Sequence, residues 1–243
     1  MKQRGADIRL SLAGGEPLLN SKRTTKIVQE AKALGFKLSL ITNASRLKSV
    51  RLDSLFRNLS ILGISLDSAD AQTCRKIGRV DKTGQSQSLD EIVNLVERVR
   101  SVNSEIIIKI NTVVNECNVS EDLTKVVERI NPDKWKVFKV LPIISDNLSI
   151  SENQFQDFVN LNQKVGSVLS AENNEDMTVS YLMVDPLGRF FQNKDLNSGV
   201  DGTYYSYSRP ILEIGPEAAF RQINFDVEKF VSRYSKSSME VAA

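Results

Sequence analysis

The chain is 243 residues long, 41% hydrophobic and 26% charged, which suits one sizeable core or one large α/β domain rather than two. Its net charge of +2 argues against a global basic field for nucleic acid or a membrane surface, and no apolar run approaches a membrane span. Histidine is absent and only Cys74 and Cys117 carry thiols, which excludes Ser-His-Asp and Cys-His nucleophilic sites, histidine-ligated metals, and a Cys₃ or Cys₄ site built from these residues alone.

The opening MKQRGAD has no signal-peptide core, so the expectation is a cytoplasmic protein with two incidental thiols. Ile8–Pro17, IRLSLAGGEP, alternates apolar and polar residues and then breaks at Gly14-Gly15, which reads as a strand entering a tight, open turn. Two residues without Cβ let a ligand approach the backbone, and Glu16 adds a carboxylate at the strand's end that suits a cationic group. Ser21–Leu34 reads as a helix, with Ile27, Val28, Ala31 and Leu34 on one face and Gly35 as its stop. A strand at Lys37–Ile41 ends in Thr42-Asn43-Ala44-Ser45, a short helix is expected at Arg46–Phe56, and a third strand spans Leu59–Asp67. A polar stretch with Ile77-Gly78-Arg79 follows.

Leu89–Arg100 is the clearest helix, with Leu89, Ile92, Val93, Val96 and Val99 at helical spacing. Glu105–Val114 reads as a buried strand with Ile106, Ile108 and Ile110 on one face and Lys109 and Asn111 on the other. A helix opened by Ser120 is expected through Ile130, then a strand at Asp133–Leu141 with Lys134, Lys136 and Phe138 on one face. Glu152–Val168 reads as a long amphipathic helix and Glu172–Asp176 as a polar loop. Val179–Val184, the turn Asp185–Gly188 and Arg189–Phe191 give a hairpin signal, Tyr204–Ser208 looks like loop, and Glu217–Arg233 is a last helical region. Without repeat or linker, one domain over 1–243 is expected, with barrel units in 1–150 and a C-terminal helix, hairpin and extension in 151–243.

Strands alternating with helices at this spacing indicate a parallel sheet. Strand after strand ends in, or carries inward, a polar side chain: Glu16, Asn43, Ser45, Ser65, Asp67, Lys109, Asn111 and Lys136. A barrel of βα units collects its active site at the strands' carboxyl ends. Each of these residues is also readable as a solvated loop residue. Lys109 and Lys136 stand among apolar strand neighbours, where an ammonium needs an anion. Either an internal acid such as Glu16 or Asp67 supplies it, or a bound triphosphate does. Tyr181 is placed to reach a sugar hydroxyl or to act as a hydrogen donor, or simply to pack at a sheet edge.

Taken together, these blocks resemble the radical SAM superfamily and, within it, the viperin branch. The matching stretches are GGEPLL (Gly14–Leu19), TNAS (Thr42–Ser45), ISLDS (Ile64–Ser68), IGR (Ile77–Arg79), KINTVVN (Lys109–Asn115), NVSEDL (Asn118–Leu123), NPDKWKVFKVL (Asn131–Leu141), SYLMVD (Ser180–Asp185) and ILEIGPEAA (Ile211–Ala219). GGEP alone says only radical SAM, whereas the NPxxWKVF block with KIN and SYL is more specific. The resemblance implies a partial (βα)₆ barrel with a C-terminal extension, holding S-adenosylmethionine and a [4Fe–4S] cluster served by an electron donor. It implies an antiviral enzyme that converts a ribonucleoside triphosphate (CTP, UTP or GTP) to its 3′-deoxy-3′,4′-didehydro form. Carried over, Gly14, Gly15 and Glu16 hold the methionine amino group, and Asn43, Ser45, Ser65 and Arg79 hold its ribose and carboxylate. Arg9, Lys109, Asn111, Lys134 and Lys136 line the triphosphate site, with Arg9 where the family more often has lysine. Tyr181 stands where the family has a tyrosine near the substrate ribose.

The family's CxxxCxxC motif lies upstream of GGEP and is not in this sequence, so the expectation is a barrel truncated at its N-terminus and unable to bind the cluster as printed. The tail SKSSMEVAA also departs from the family's closing segment, and no amphipathic N-terminal helix argues for membrane attachment. Two readings follow: a piece of an active viperin-like enzyme, or a non-catalytic nucleotide- or SAM-binding remnant, including half of a split protein.

Overall fold

In a computed structural model, residues 8–47, 52–142, 146–194 and 204–232 are described. Six strands form one sheet in sequence order: β1 (Arg9–Leu12), β2 (Lys37–Thr42), β3 (Ile61–Ser65), β4 (Ile107–Val114), β5 (Lys134–Lys139) and β6 (Leu169–Glu172). The first four pair parallel, as expected of helices returning the chain each time to the same end of the sheet. Among the described residues β1 and β6 do not pair, so the sheet is open rather than a closed barrel.

Helices fill the crossovers: α1 (Ser21–Ala33), α2 (Asp53–Phe56), α3 (Ala71–Ile77), α4 (Leu89–Val102), α5 (Thr124–Ile130) and α6 (Glu152–Leu161). The α1 start follows from Asn20, whose side chain accepts from the Arg23 N–H, while Ser88 and Glu91 close a full capping box on α4. Their apolar faces bury Val28, Ile92, Val96 and Val99 against the strand residues Leu38, Leu40, Leu62, Ile64, Ile108 and Ile110. Trp135, fully buried on β5, meets the Phe158 ring of α6 edge-on and donates its indole N–H to Thr112 Oγ1 at 2.9 Å.

Two compact units divide the chain, 1–137 with 150–170, and 138–149 with 171–243. The last two residues of β5 and of β6 fall in the second unit. That unit also contains α7 (Asn174–Met177) and an antiparallel sheet of β7 (Met183–Val184), β8 (Arg189–Asn193) and β9 (Tyr205–Pro210), followed by α8 (Ile211–Ile214) and α9 (Pro216–Phe220).

Several local expectations are corrected. The polar stretch after Asp67 forms α3, because Asp70 caps it through the Thr73 N–H and Gly78 ends it in the left-handed conformation. The helix expected from Ser120 starts only at Thr124; Asn118 first folds the chain back by accepting from Asn115 N. The long helix from Glu152 stops at Leu161, where Asn162 turns its side chain to the Leu123 and Glu121 backbone and Gly166 takes φ 71°. The polar loop near Glu172 is instead β6 and α7, and of the loop expected at Tyr204–Ser208 all but Tyr204 belongs to β9, whose tyrosines are strand formers that lack an alternating apolar signal. The helix expected at Arg46–Phe56 survives as α2, with 48–51 outside the described residues, as are the opening heptapeptide and the tail.

Candidate functional site

The loop after β1 folds back on the end of β2 through a single carboxylate. Gly14 and Gly15 take φ 89° and 49°, values that favour glycine, and a Cβ on either would meet nothing within 4 Å. The turn therefore stands beside open space. Glu16 follows, half-buried, and its Oε1 accepts from the Leu18 N–H at 3.0 Å and from the Thr42 hydroxyl at 2.8 Å. Its Oε2 accepts from the Asn43 N–H at 2.8 Å. Asn43 Oδ1 in turn accepts from the Ser45 N–H at 3.0 Å. Glu16, Asn43 and Ser45 are thus joined in one hydrogen-bonded chain, next to the two glycines.

Register places the other predicted residues. Parallel pairing sets Gly63 beside Lys109 and Ser65 beside Asn111, and paired residues project to the same side of a sheet. Arg9, opposite Lys37, falls on that same face by the pairing of β1 through β4. On β5, Trp135 reaches Thr112, which points away from the face of Asn111; alternation therefore turns Lys134 and Lys136 toward the face of Lys109 and Asn111. Lys109, Lys134 and Lys136 are all half-buried, whereas Arg9 is exposed. One residue here escaped sequence reasoning. Gly63 is what lets Asn111 lie flat, since a Cβ there would come within 3.2 Å of Asn111 Nδ2. Asn111 is 8% exposed, and its Oδ1 has no hydrogen-bond partner. A buried acceptor left in this state is either costly or kept for a donor that arrives with a ligand.

Arg79 donates its Nε–H to Asp67 Oδ2, and Asp67, only 3% exposed, also accepts from the Val113 N–H at 2.8 Å. The arginine is thereby tied to the carboxyl end of β3. Beneath it, Ser68 Oγ donates to Glu121 Oε1 at 2.8 Å and Cys74 Sγ lies 3.3 Å from the Ser68 carbonyl. Burial pushes the Glu121 carboxyl up, partly offset by hydrogen bonds from Ser68 and Thr73, and burial likewise raises the Cys74 thiol. In the second unit, the Tyr181 hydroxyl donates to Glu172 Oε2 at 2.7 Å, two residues after Val179, which takes φ 50°.

The family model described as the Radical SAM superfamily matches residues 1–130. The S-adenosylmethionine-dependent nucleotide dehydratase of Psychrobacter lutiphocae is 44% identical over 232 residues, 96% of this chain and 76% of that protein. This chain belongs to the radical SAM superfamily, in its nucleotide dehydratase branch. A second dehydratase of that family, from Pseudoalteromonas ulvae, is 38% identical over 97% of this chain and 75% of its own length. S-adenosylmethionine-dependent nucleotide dehydratase RSAD2 of Oncorhynchus mykiss is 32% identical over 97% of this chain and 68% of that protein. The fold is shared with the structure of native anSMEcpe with bound AdoMet and Kp18Cys peptide, which matches 92% of this chain and 68% of that one with a TM-score of 0.56 at 14% identity. A domain of pyruvate-formate lyase-activating enzyme from Bacteroides vulgatus covers 67% of this chain and 98% of its own with a TM-score of 0.52 at 18% identity.

The residues present fit S-adenosylmethionine: an open glycine turn with a carboxylate beside it, where the ends of β1 and β2 meet, suits the amino end of an amino acid joined to a nucleoside. Among the described residues no group of three or more His, Cys, Asp or Glu could hold a metal ion, and Cys74 is buried and bonded to a backbone carbonyl.

Proposed function

We infer that this chain forms the S-adenosylmethionine- and nucleotide-binding part of an enzyme that converts a ribonucleoside triphosphate to its 3′-deoxy-3′,4′-didehydro form. The observation that carries this is the 44% identity, across 96% of the chain, to a protein named for S-adenosylmethionine-dependent nucleotide dehydration. The one-sided arrangement of cationic side chains supports it from the structure. S-adenosylmethionine, when reductively cleaved, supplies a 5′-deoxyadenosyl radical able to take a hydrogen atom from a ribose carbon.

The chain's own residues bind and orient. Gly14 and Gly15 admit the methionine end to the backbone, and Glu16 faces its ammonium; Asn43, Ser45 and Ser65 supply hydrogen bonds to the ribose, and Arg79 a charge for the carboxylate. Lys109, Lys134, Lys136 and Arg9 neutralise the triphosphate, and Asn111 lines the same site. Thiolates for the cluster are not part of what these residues supply.

Equilibrium binding of CTP, UTP and GTP to the purified chain, with Lys136→Ala beside it, tests this reading. Binding in the micromolar range for at least one nucleotide, weakened about tenfold or more by the substitution, is expected from the loss of one charge-assisted contact. Absence of binding to folded protein would overturn it.

A further inference from the structure

Thr42 stands outside every set of residues assigned above, yet more of the cofactor turn depends on it than on any single member of that set. It is the last residue of β2 and is 1% exposed. Its hydroxyl serves in both directions. As a donor it reaches Glu16 Oε1 at 2.8 Å, across 26 residues of sequence; as an acceptor it takes the Ala44 N–H at 3.1 Å. A hydroxyl has one hydrogen to give, and here it goes to the carboxylate.

Each bond governs a different half of the turn. An ionised carboxylate offers about four lone-pair positions, and three of those on Glu16 are filled, by Leu18 N, Thr42 Oγ1 and Asn43 N. One acceptor position is left, on Oε2, so the carboxylate can take a single further donor without turning. The second bond holds Ala44 at φ 64°, a conformation disfavoured for a residue with a Cβ. That kink is what sends Asn43 to Glu16 on one side and Ser45 back to Asn43 on the other.

We propose that Thr42 is a positioning residue of the S-adenosylmethionine site: its hydroxyl orients Glu16 toward the cofactor's ammonium and holds the left-handed turn that presents Asn43 and Ser45. This rests on the assignment of that cofactor to the GGEP turn. Valine keeps the shape and branching of threonine and removes both bonds, while serine keeps both bonds and removes a methyl group.

The test is equilibrium binding of S-adenosylhomocysteine to the full chain and to Thr42→Val, Thr42→Ser and Thr42→Val/Ala44→Gly, with thermal midpoints measured on the same samples. Thr42→Val is expected to weaken binding about tenfold, the loss of a hydrogen bond to a charged group. Thr42→Ser is expected to stay within about twofold of the parent, because the bonds persist. Glycine at position 44 adopts the left-handed backbone freely, so the double variant is expected to recover part of the loss, whereas a role confined to packing would leave it unrecovered. Parent-like affinity in folded Thr42→Val would overturn the proposal and leave the cofactor assignment standing. Failure of the parent to bind S-adenosylhomocysteine would overturn the assignment itself, and the proposal with it. Should Thr42→Val not fold, Thr42→Cys, whose thiol is a feeble donor and acceptor of similar size, takes its place with the same expected direction, and parent-like affinity there overturns the proposal equally.

Discussion

Glu121 is an acid held where its charge is unwelcome. Burial raises its carboxyl above the ordinary value of 4.5, and Asp70 adds repulsion, against hydrogen bonds from Ser68 and Thr73 that favour the ionised form. The linkage runs one way: a folded-state pKa above the unfolded one adds stability that is complete below the unfolded value and fades as pH rises through the folded value. Glu121→Gln keeps an oxygen for the Ser68 hydroxyl and removes the charge. Its thermal midpoint is expected to exceed the parent's at about pH 7 and to come close to it at about pH 4, where the parent's carboxyl is mostly protonated in both states. Equal shifts at both pH values would assign the effect to packing. The pH axis separates the two accounts. Such residues show why single positions were unevenly legible. Glu16 announced itself beside two glycines, while Thr42, Gly63 and Glu121 carry no local mark, since each owes its role to a partner far along the chain: Thr42 to Glu16, Gly63 to Asn111 and Glu121 to Ser68.

Helix α4 is the element whose sequence and structure agree at every level. Its apolar residues repeat at helical spacing, and both bonds of its capping box are made, Glu91 N–H to Ser88 Oγ at 3.3 Å and Ser88 N–H to Glu91 Oε2 at 3.0 Å. Asp90 and Glu91 in the first turn and Arg100 in the last complement the helix dipole. Ser88→Ala is expected to lower stability by about 1 kcal/mol, read as a shift of the denaturant midpoint at unchanged slope. A change in slope would mean that more than the cap was lost. The elements that sequence reasoning mistook have an opposite character. For α3 the capping residue Asp70 was visible, but its apolar face is reduced to the buried Cys74, so periodicity had little to register. Helix α6 shows the reverse: an amphipathic pattern continues past Leu161, but Asn162, fully buried, spends its side chain on the backbone of residues 121 and 123 and the helix ends.

At the scale of the whole molecule, the core is unevenly shared. Nearly all buried apolar side chains lie in 1–137 and 150–170, while the described part of the second unit buries Met177, Ala219 and Ile223 and leaves Leu182, Val184, Leu187 and Leu212 exposed. Fluorophores are divided in the same way. The single tryptophan, Trp135, sits in the first unit, and all five tyrosines fall within 171–243 of the second. In guanidinium chloride, tyrosine absorbance is expected to report a lower midpoint than Trp135 emission, because stability follows the apolar surface buried. Coincident midpoints would show that the two units unfold as one.

Alternation, helical spacing and turn residues suffice to place five of the six strands of the parallel sheet, its principal helices and the β7–β8 hairpin. Those signals are local, set by the backbone geometry of a few neighbouring residues. The family, too, was readable from short blocks such as GGEP and NPDKWKVF. Only the tertiary structure decided that Lys109, Asn111, Lys134 and Lys136 share a face, that Gly63 makes room for Asn111, and that Thr42 closes the glycine turn onto β2. Each of these depends on which residues the sheet register and the loop paths bring opposite one another, and a one-residue slip of register would undo it without altering any local pattern.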